Sequence, residues 1–369
     1  MRTVAPPGNP TDARQGRSPR IQGTSARGLA HPFASRVRVA CAVAVLTALT
    51  VLAAGFSLAV GSRSIPLPEV ASALFAPGQD AFAAKVVQAR VPRTLFALLA
   101  GAEGISGLLM QRVTRNPIAD PSILGVNAGA SLFVVAAMAF LGITTSSQYI
   151  WWAILGAALT AVLVYGVGSS GRGGASPLKL ALAGTAVSTA FSSLVSIIVM
   201  PRENVMGSFR FWQVGSVSGA SWADVQTFVP FLLVGVAVAL VVAPALEVLA
   251  LGDDAAVGLG AKPGLVRLAS SVAAVVLCGA ATAIAGPIAF VGLMVPHLVN
   301  LLYKGNLRMQ MLLTALLGAF VLTAADVLGR VAVSPGELEV GIVTAFVGAP
   351  VFIAVAVRSA GAMRTGEVA

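Results

Sequence analysis

Residues 112–130 read RVTRNPIADPSILGVNAGA, a charged, proline-punctuated wedge between two long apolar runs. Arg112, Arg115, Asn116 and Asp120 are costly in hydrocarbon, so this wording predicts that the chain surfaces here, turns at Pro117 and Pro121, and dives back. It predicts a membrane hairpin, and the fold follows from counting how many more the chain contains.

Working outward, 57% of the 369 residues are apolar, 10% are charged and the mean hydropathy is +0.89. A soluble globular chain carries about 25% charge, so this composition belongs to a polytopic, all-helical membrane protein. Apolar runs extend evenly from residue 40 to residue 357 and leave no room for a soluble domain. The expected organisation is a single transmembrane domain over residues 40–358, a basic disordered tail over residues 1–39, and a short C-terminal tail over residues 359–369. The first tail holds seven Arg against one Asp, with several Pro, Gly and Ser, a mixture that cannot bury a core. The run at 40–60 is long enough to span and too long for a cleaved signal core, which predicts a retained anchor.

Windows of about twenty residues predict ten spans, roughly 40–60, 93–111, 122–142, 149–169, 178–200, 226–246, 265–285, 287–303, 309–329 and 339–357. Between the seventh and eighth only Gly286 and Pro287 interrupt the pattern, so one kinked span competes with two there. The basic residues decide it. With ten spans, seventeen of the 24 Lys and Arg fall on the side of the N-terminal tail and seven on the other, as expected for both termini in the cytoplasm. The net charge of +10 thus speaks of orientation rather than of nucleic acid. Cys41 and Cys278 lie in separate apolar runs and read as small buried hydrophobes.

Few residues could carry chemistry. No Gly-x-x-x-x-Gly-Lys-Ser/Thr phosphate loop occurs, so the chain is not expected to hydrolyse ATP, and His31 and His297 have no companion at metal-ligand spacing. In the fifth span Gly184, Ser188, Ser192 and Ser196 share one helix face, which suits tight helix packing or a substrate-lining wall. Trp212 and Trp222, in the stretch 201–224, favour an interfacial aromatic belt over a short surface helix. The segment LALGDDAAVGLGAKPGLVR at 249–267 is too short to span and too apolar for a linker, so its middle should form an exposed amphipathic helix on which something docks.

Several of these stretches, RVPRT at 90–94 followed by TRNPIADPSILGVNAGA at 114–130, WQVGSVSGASW at 212–222, AGPIAFVGLMVPH at 285–297 and PGELEVGIVTAFVGAP at 335–350, occur in the same order in one family. The chain resembles the permease subunits of iron-siderophore and cobalamin ABC importers. That resemblance implies a second permease subunit, identical or related, around a central pathway, two cytoplasmic ATPase subunits, and an extracytoplasmic binding protein. ATP would be used by the ATPase partners, with no cofactor bound by this chain. Carried across residue by residue, Arg90, Arg93 and Arg330 would meet acidic residues of the binding protein. The loop at about 249–265, with Leu251, Gly252, Asp253, Asp254, Ala255, Ala256, Leu259 and Gly260, would couple to the ATPase. Asn116 and Ile118 would narrow the inner mouth, with Gly184, Ser188 and Ser192 along the pathway. Glu103 departs from the family, which has a small apolar residue there; a carboxylate near the bilayer centre needs a partner, a proton or water, so it is expected on the pathway or against a hydrogen-bonding neighbour. The implied substrate is a ferric siderophore, with cobalamin or haem as alternatives. A different class, an ion-driven secondary transporter using Glu103 or Asp326, stays open.

Overall fold

The computed structural model describes residues 32–61, 64–75, 81–170, 177–333 and 336–365. The chain divides into Met1–Arg38 and Val39–Ala369. Most of the basic tail, and the last residues of the C-terminal tail, lie outside the described residues. The helices are α1 (Pro32–Ala59), α2 (Leu67–Phe75), α3 (Ala81–Ala100), α4 (Glu103–Thr114), α5 (Val126–Leu141), α6 (Ser146–Ser169), α7 (Pro177–Val199), α8 (Glu203–Val214), α9 (Trp222–Leu249), α10 (Asp253–Gly258), α11 (Pro263–Ala285), α12 (Val291–Leu302), α13 (Leu307–Ala332) and α14 (Val340–Thr365). Among the described residues seven apolar helical stretches are long enough to cross a bilayer, α3 and α4 together making one, and three more, in α5, α12 and α14, are apolar but shorter. These ten follow the expected spans in order. Gly286 and Pro287 do separate two helices, because α11 stops at Ala285 and α12 starts only at Val291.

The second span begins earlier than its hydropathy suggests, at Phe82, and is broken in the middle. At Gly101 and Ala102 the backbone leaves the α-helical pattern, with Ala102 N–H bonding back to Leu99 O. The break sits at a backbone contact: a Cβ on Gly101 would collide with Gly318 and Ala319 of α13. Gly107 of α4 presses in the same way on the carbonyl of Gly292 in α12, and Gly129 of α5 on Gly156 of α6. Without a hydrophobic drive between helices in lipid, such close approaches are what holds a bundle together, since they raise dispersion contact and exclude lipid tails.

Two expectations are corrected here. Asp120 does not stay at the surface: it caps the 3-10 turn Pro121–Leu124 through Ser122 N–H at 2.9 Å, and its other oxygen packs on Gly292 in the first turn of α12. A carboxylate is favoured there because the helix start exposes N–H groups and positive dipole. Because α4 is only 12 residues long, about 18 Å, the chain returns through an exposed corner at Arg115, Pro117 and Ile118 to the 3-10 turn, where Ala119, Pro121, Leu124 and Gly125 are buried in protein, the setting in which non-α-helical backbone is tolerated at membrane depth. The belt expected at 201–224 is instead the helix α8, which is stitched inward. Trp212 is buried and donates its indole N–H to Ala283 O at 3.3 Å, Ser216 N–H reaches Ala285 O at 2.6 Å, and Gly341 N–H reaches Gly215 O at 2.9 Å. Trp222, which is exposed, opens α9 behind a Ser221–Asp224 capping box.

Replacing Gly107 by Ala should cost about 1–3 kcal/mol, the usual penalty for overpacking a tight core. Gly166 in α6 has nothing within 4 Å of an added Cβ, so Gly166→Ala should be neutral. Thermal unfolding of the two purified variants would check the contrast, and equal midpoints would mean that the Gly107–Gly292 crossing does not limit stability.

Candidate functional site

The residues expected to act fall into three places along the bundle. At the end carrying the α1 C-terminus, the last turn of α1 leaves carbonyls without intrahelical donors. Arg90 Nη1 donates to Leu58 O at 2.8 Å and Ala59 O at 3.1 Å. Arg330 Nη1 donates to Ser57 O at 2.9 Å and Val60 O at 2.7 Å, and its Nη2 reaches Ser57 Oγ at 2.8 Å. Asp326 then bridges two guanidiniums, Arg93 at 2.7 Å and Arg330 at 2.7 Å, and Arg93 extends to Glu337 at 2.9 Å. Arg330, expected on a docking face, is therefore withdrawn from it: the residue is 3% exposed and its donors serve α1 and Asp326. Arg93 and Glu337 form the outer edge of this cluster. Asp326 is held between two cations, which leaves it unlike a free ion-coupling carboxylate.

In the middle, a cavity of about 490 Å³ opens between α5, α7 and α8, with Asn127, Ser131, Ser192, Ser196, Arg210 and Gln213 on its polar side. The small-residue stripe of α7 divides at this level. Gly184 and Ser188 pack against Gly125, at the end of the 3-10 turn, whereas Ser192 and Ser196 face open space. Glu103 is buried behind the wall rather than in it. The Cys278 thiol reaches its Oε1 at 3.6 Å, and Asn127 Oδ1 accepts from Thr282 at 3.1 Å, so one polar knot joins α4, α5 and α11 beside the cavity.

At the opposite end, α4 finishes on Arg115 in the left-handed conformation, φ 51°. Asn116 Oδ1 accepts Ile118 N–H at 3.1 Å, the Asx turn that its Asn-Pro wording favours. Ile118 is exposed and shares a narrow cleft with Met294 and His297 of α12 and Phe352 of α14. Arg115 Nη2 caps the α9 terminus at Leu249 O, 2.7 Å, and also reaches Asp253 at 2.8 Å, where Arg267 of α11 arrives at 2.8 Å. Asp253 thus fastens α10 to α4 and α11. Gly252 at φ 116° and Gly260 at φ 81° make the bends on either side, with Asp254 and Ala255 outward and Ala256 fully buried as the peg beneath. The outer side of this knob is apolar: Leu251, Val257 and Leu259 are 69%, 60% and 66% exposed. Exposed apolar side chains gathered on a loop held by ion pairs are the kind of patch from which docking surfaces are built. Sequence reasoning found the loop but not Arg115 and Arg267 as its anchors; the signal available was the single acidic pair Asp253–Asp254 in a basic face. Among the described residues no group of three His, Cys, Asp or Glu could hold a metal ion.

Against known proteins, the profile of the FecCD transport family matches residues 36–358. The chain is 42% identical over 316 residues to the ferric enterobactin transport system permease protein FepD of Escherichia coli (strain K12), covering 85% of this chain and 94% of that one. It is 41% identical over 300 residues to the Fe(3+)-citrate import system permease protein YfmD of Bacillus subtilis (strain 168), covering 81% and 89% respectively. A solved structure described as an inward-facing conformation of a metal-chelate type ABC transporter superposes with a TM-score of 0.75 at 29% identity, over 86% of this chain and 99% of that one.

The Asp253 anchor carries a pH dependence. Desolvation pushes its carboxyl up, but Arg267 and then Arg115 outweigh this and hold the acid below its ordinary value of 3.8. The charged form is therefore favoured by the folded loop, and its contribution is present above that value and lost as pH falls below it. Hydrogen exchange of residues 250–262, corrected for the intrinsic rate, should show protection constant from neutral pH down to the carboxylate range and loss beyond it. Asp253→Asn should lack that protection at neutral pH. Protection in the wild type that ignores pH would separate the loop from this ion pair.

Proposed function

Because the chain belongs to the FecCD transport family, we propose that it is the membrane-spanning permease subunit of an ATP-driven importer that carries ferric siderophores across the cytoplasmic membrane. The observation that carries the reading is the α10 knob. It offers three exposed apolar side chains on a fixed mount, in a chain whose sequence has no phosphate loop of its own. The motor is supplied by two ATPase subunits, one seated on the knob of each permease subunit, and this chain performs no catalysis and binds no cofactor. The distribution of Lys and Arg supports placing the knob and both termini on the cytoplasmic side.

A second permease subunit completes the pathway, and a binding protein delivers substrate at the other end, near the edge formed by Arg93 and Glu337. Steering there would come from charge complementarity, which acts on the rate and register of docking more than on affinity. Within the pathway, Ser192 and the polar wall around Asn127 give a chelate rich in oxygen atoms hydrogen-bonding partners without tight capture. Asn116 and Ile118 stand at the exit. A relative that carries ferric enterobactin and another that carries ferric citrate both support an iron chelate over cobalamin or haem. Coupling by α10 follows from its anchorage: closure of the ATPases pushes the knob, and Arg115 hands the displacement to the turn that bears Asn116 and Ile118, biasing the two access states. An ion-driven carrier fits less well, since Asp326 is paired on both sides and Glu103 lies behind the cavity wall.

Reconstitution of the permease with its ATPase and binding protein in liposomes should give uptake of a ferric chelate that requires ATP. Leu251→Asp, Val257→Asp or Leu259→Asp should each lower uptake and ATPase co-purification by about tenfold or more, as expected for a residue at the centre of an interface, while the protein remains folded in the membrane. Uptake sustained by a proton gradient without ATP would replace this reading with the carrier. Glu103→Gln keeps the shape and the hydrogen-bonding atoms of the knot and should leave uptake unchanged; a large loss would move Glu103 onto the pathway.

A further inference from the structure

We propose that the cavity between the knob-side ends of α4, α12 and α13 is a binding site for the phosphate-bearing headgroup of an anionic phospholipid. This cavity, of about 490 Å³, is separate from the one beside α7 and is lined by Gln111, Arg112, Arg115, Asn300, Lys304 and Gln310. Its charge is not cancelled from within. Arg112 donates to Gln310 Oε1 at 2.6 Å and Asn300 Oδ1 at 3.4 Å, two neutral oxygens that aim the guanidinium without neutralising it. Gln310 is itself fixed, its amide nitrogen donating to Gly305 O at 3.1 Å and Tyr303 O at 3.4 Å. Arg115 must share Asp253 with Arg267, and Lys304 is exposed and makes no ion pair among the described residues. Glu247 of α9 lies near Arg112, but its Oε1 is taken by Leu307 N–H. Three cations, Arg112, Arg115 and Lys304, thus line a cavity whose lining holds no carboxylate, with Asp253 and Glu247 beside it.

The wall also holds an unmet acceptor. Gln111 is 6% exposed; its amide nitrogen donates to Leu293 O at 3.3 Å, and its Oε1 has no partner. Such an atom is costly to leave without a partner. The cations call for an anion of several oxygens, and Gln111 beside them is a polar wall with an acceptor to spare. A glycerol phosphate headgroup carries the anion, with a hydroxyl on the carbon next to its ester carbon. Guanidinium forks match phosphate oxygens, and Lys304 adds a mobile point charge at the rim. The site lies where the helices end, the level at which headgroups sit, and basic pockets between helices at that level suit anionic lipid.

The permease, purified with the subunits it assembles with, would be placed in nanodiscs of phosphatidylcholine alone or with one part in four phosphatidylglycerol, and retained lipid would be measured by native mass spectrometry. Preferential retention of phosphatidylglycerol is expected, with the apparent affinity falling about tenfold in Lys304→Gln, the loss of one charge-assisted contact, and further in Lys304→Glu. Lys304 is exposed and supports no other group, so these variants should fold normally; Lys304→Arg should restore binding. A second arm adds inorganic phosphate or glycerol 3-phosphate in detergent and reads the thermal midpoint. Protection by these ions with no lipid preference would keep the phosphate site and reassign its source to the solution. Equal retention of both lipids without ion protection, or lipid preference indifferent to Lys304, would overturn the proposal, and the cavity would then be left to an acidic segment of a partner protein.

Discussion

A helix end leaves its last carbonyls without intrahelical donors, and this chain answers that constraint with arginine at both ends of its bundle. Arg90 and Arg330 close the last turn of α1, and Arg115 closes α9. Each cap brings a charge that must itself be balanced, and in both places one aspartate does this by bridging two guanidiniums, Asp326 for Arg93 and Arg330, Asp253 for Arg115 and Arg267. Removing either partner of such a group would strand the other, which is why these ion pairs specify an arrangement more than they add net stability. The first cluster is buried around Asp326 and Arg330 and surfaces only at Glu337. The second is half-exposed and lies directly under the docking knob.

Between these two ends the irregular stretches depend on glycine. The backbone of residues 286–290, including Phe290 in the left-handed region at φ 69°, fits because Gly286 lets the chain pass the Trp212 carbonyl and Gly341 lets α14 start against Val214. The return of residues 115–125 fits because Gly107 and Gly292 bring α4 and α12 into backbone contact beside Asp120. Small residues thus serve two purposes in the same bundle: they hold helices together, and they make room for non-helical chain whose polar groups are met by neighbouring protein.

Much of this was legible from the residues. The ten apolar runs, the break at Gly286 and Pro287, and the turn at Arg115–Asn116–Pro117 are local patterns, and local patterns report helix ends directly. The α10 loop was legible because an apolar hexad flanked by glycines and acids has no reason to exist in a linker. What escaped was pairing across long separations. Arg330 reads as an outward cation until Ser57, 273 positions away, is found to need its donors. Asp120 reads as a surface residue until the start of α12 is placed beside it, and Trp212 as a belt residue until the Ala283 carbonyl is. In the α7 stripe the four small residues are equivalent in sequence, and only the 3-10 turn at Pro121–Leu124 distinguishes the pair it covers from the pair left open.

Arg115 occupies a singular position, since one side chain touches the end of α9 and the first residue of α10 while its own backbone forms the left-handed corner leading to Asn116 and Ile118. Only Arg115 therefore stands between α10 and the turn bearing Asn116 and Ile118. Under the coupling proposed above, so short a linkage would leave little slack, and a small stroke of α10 would reach that turn.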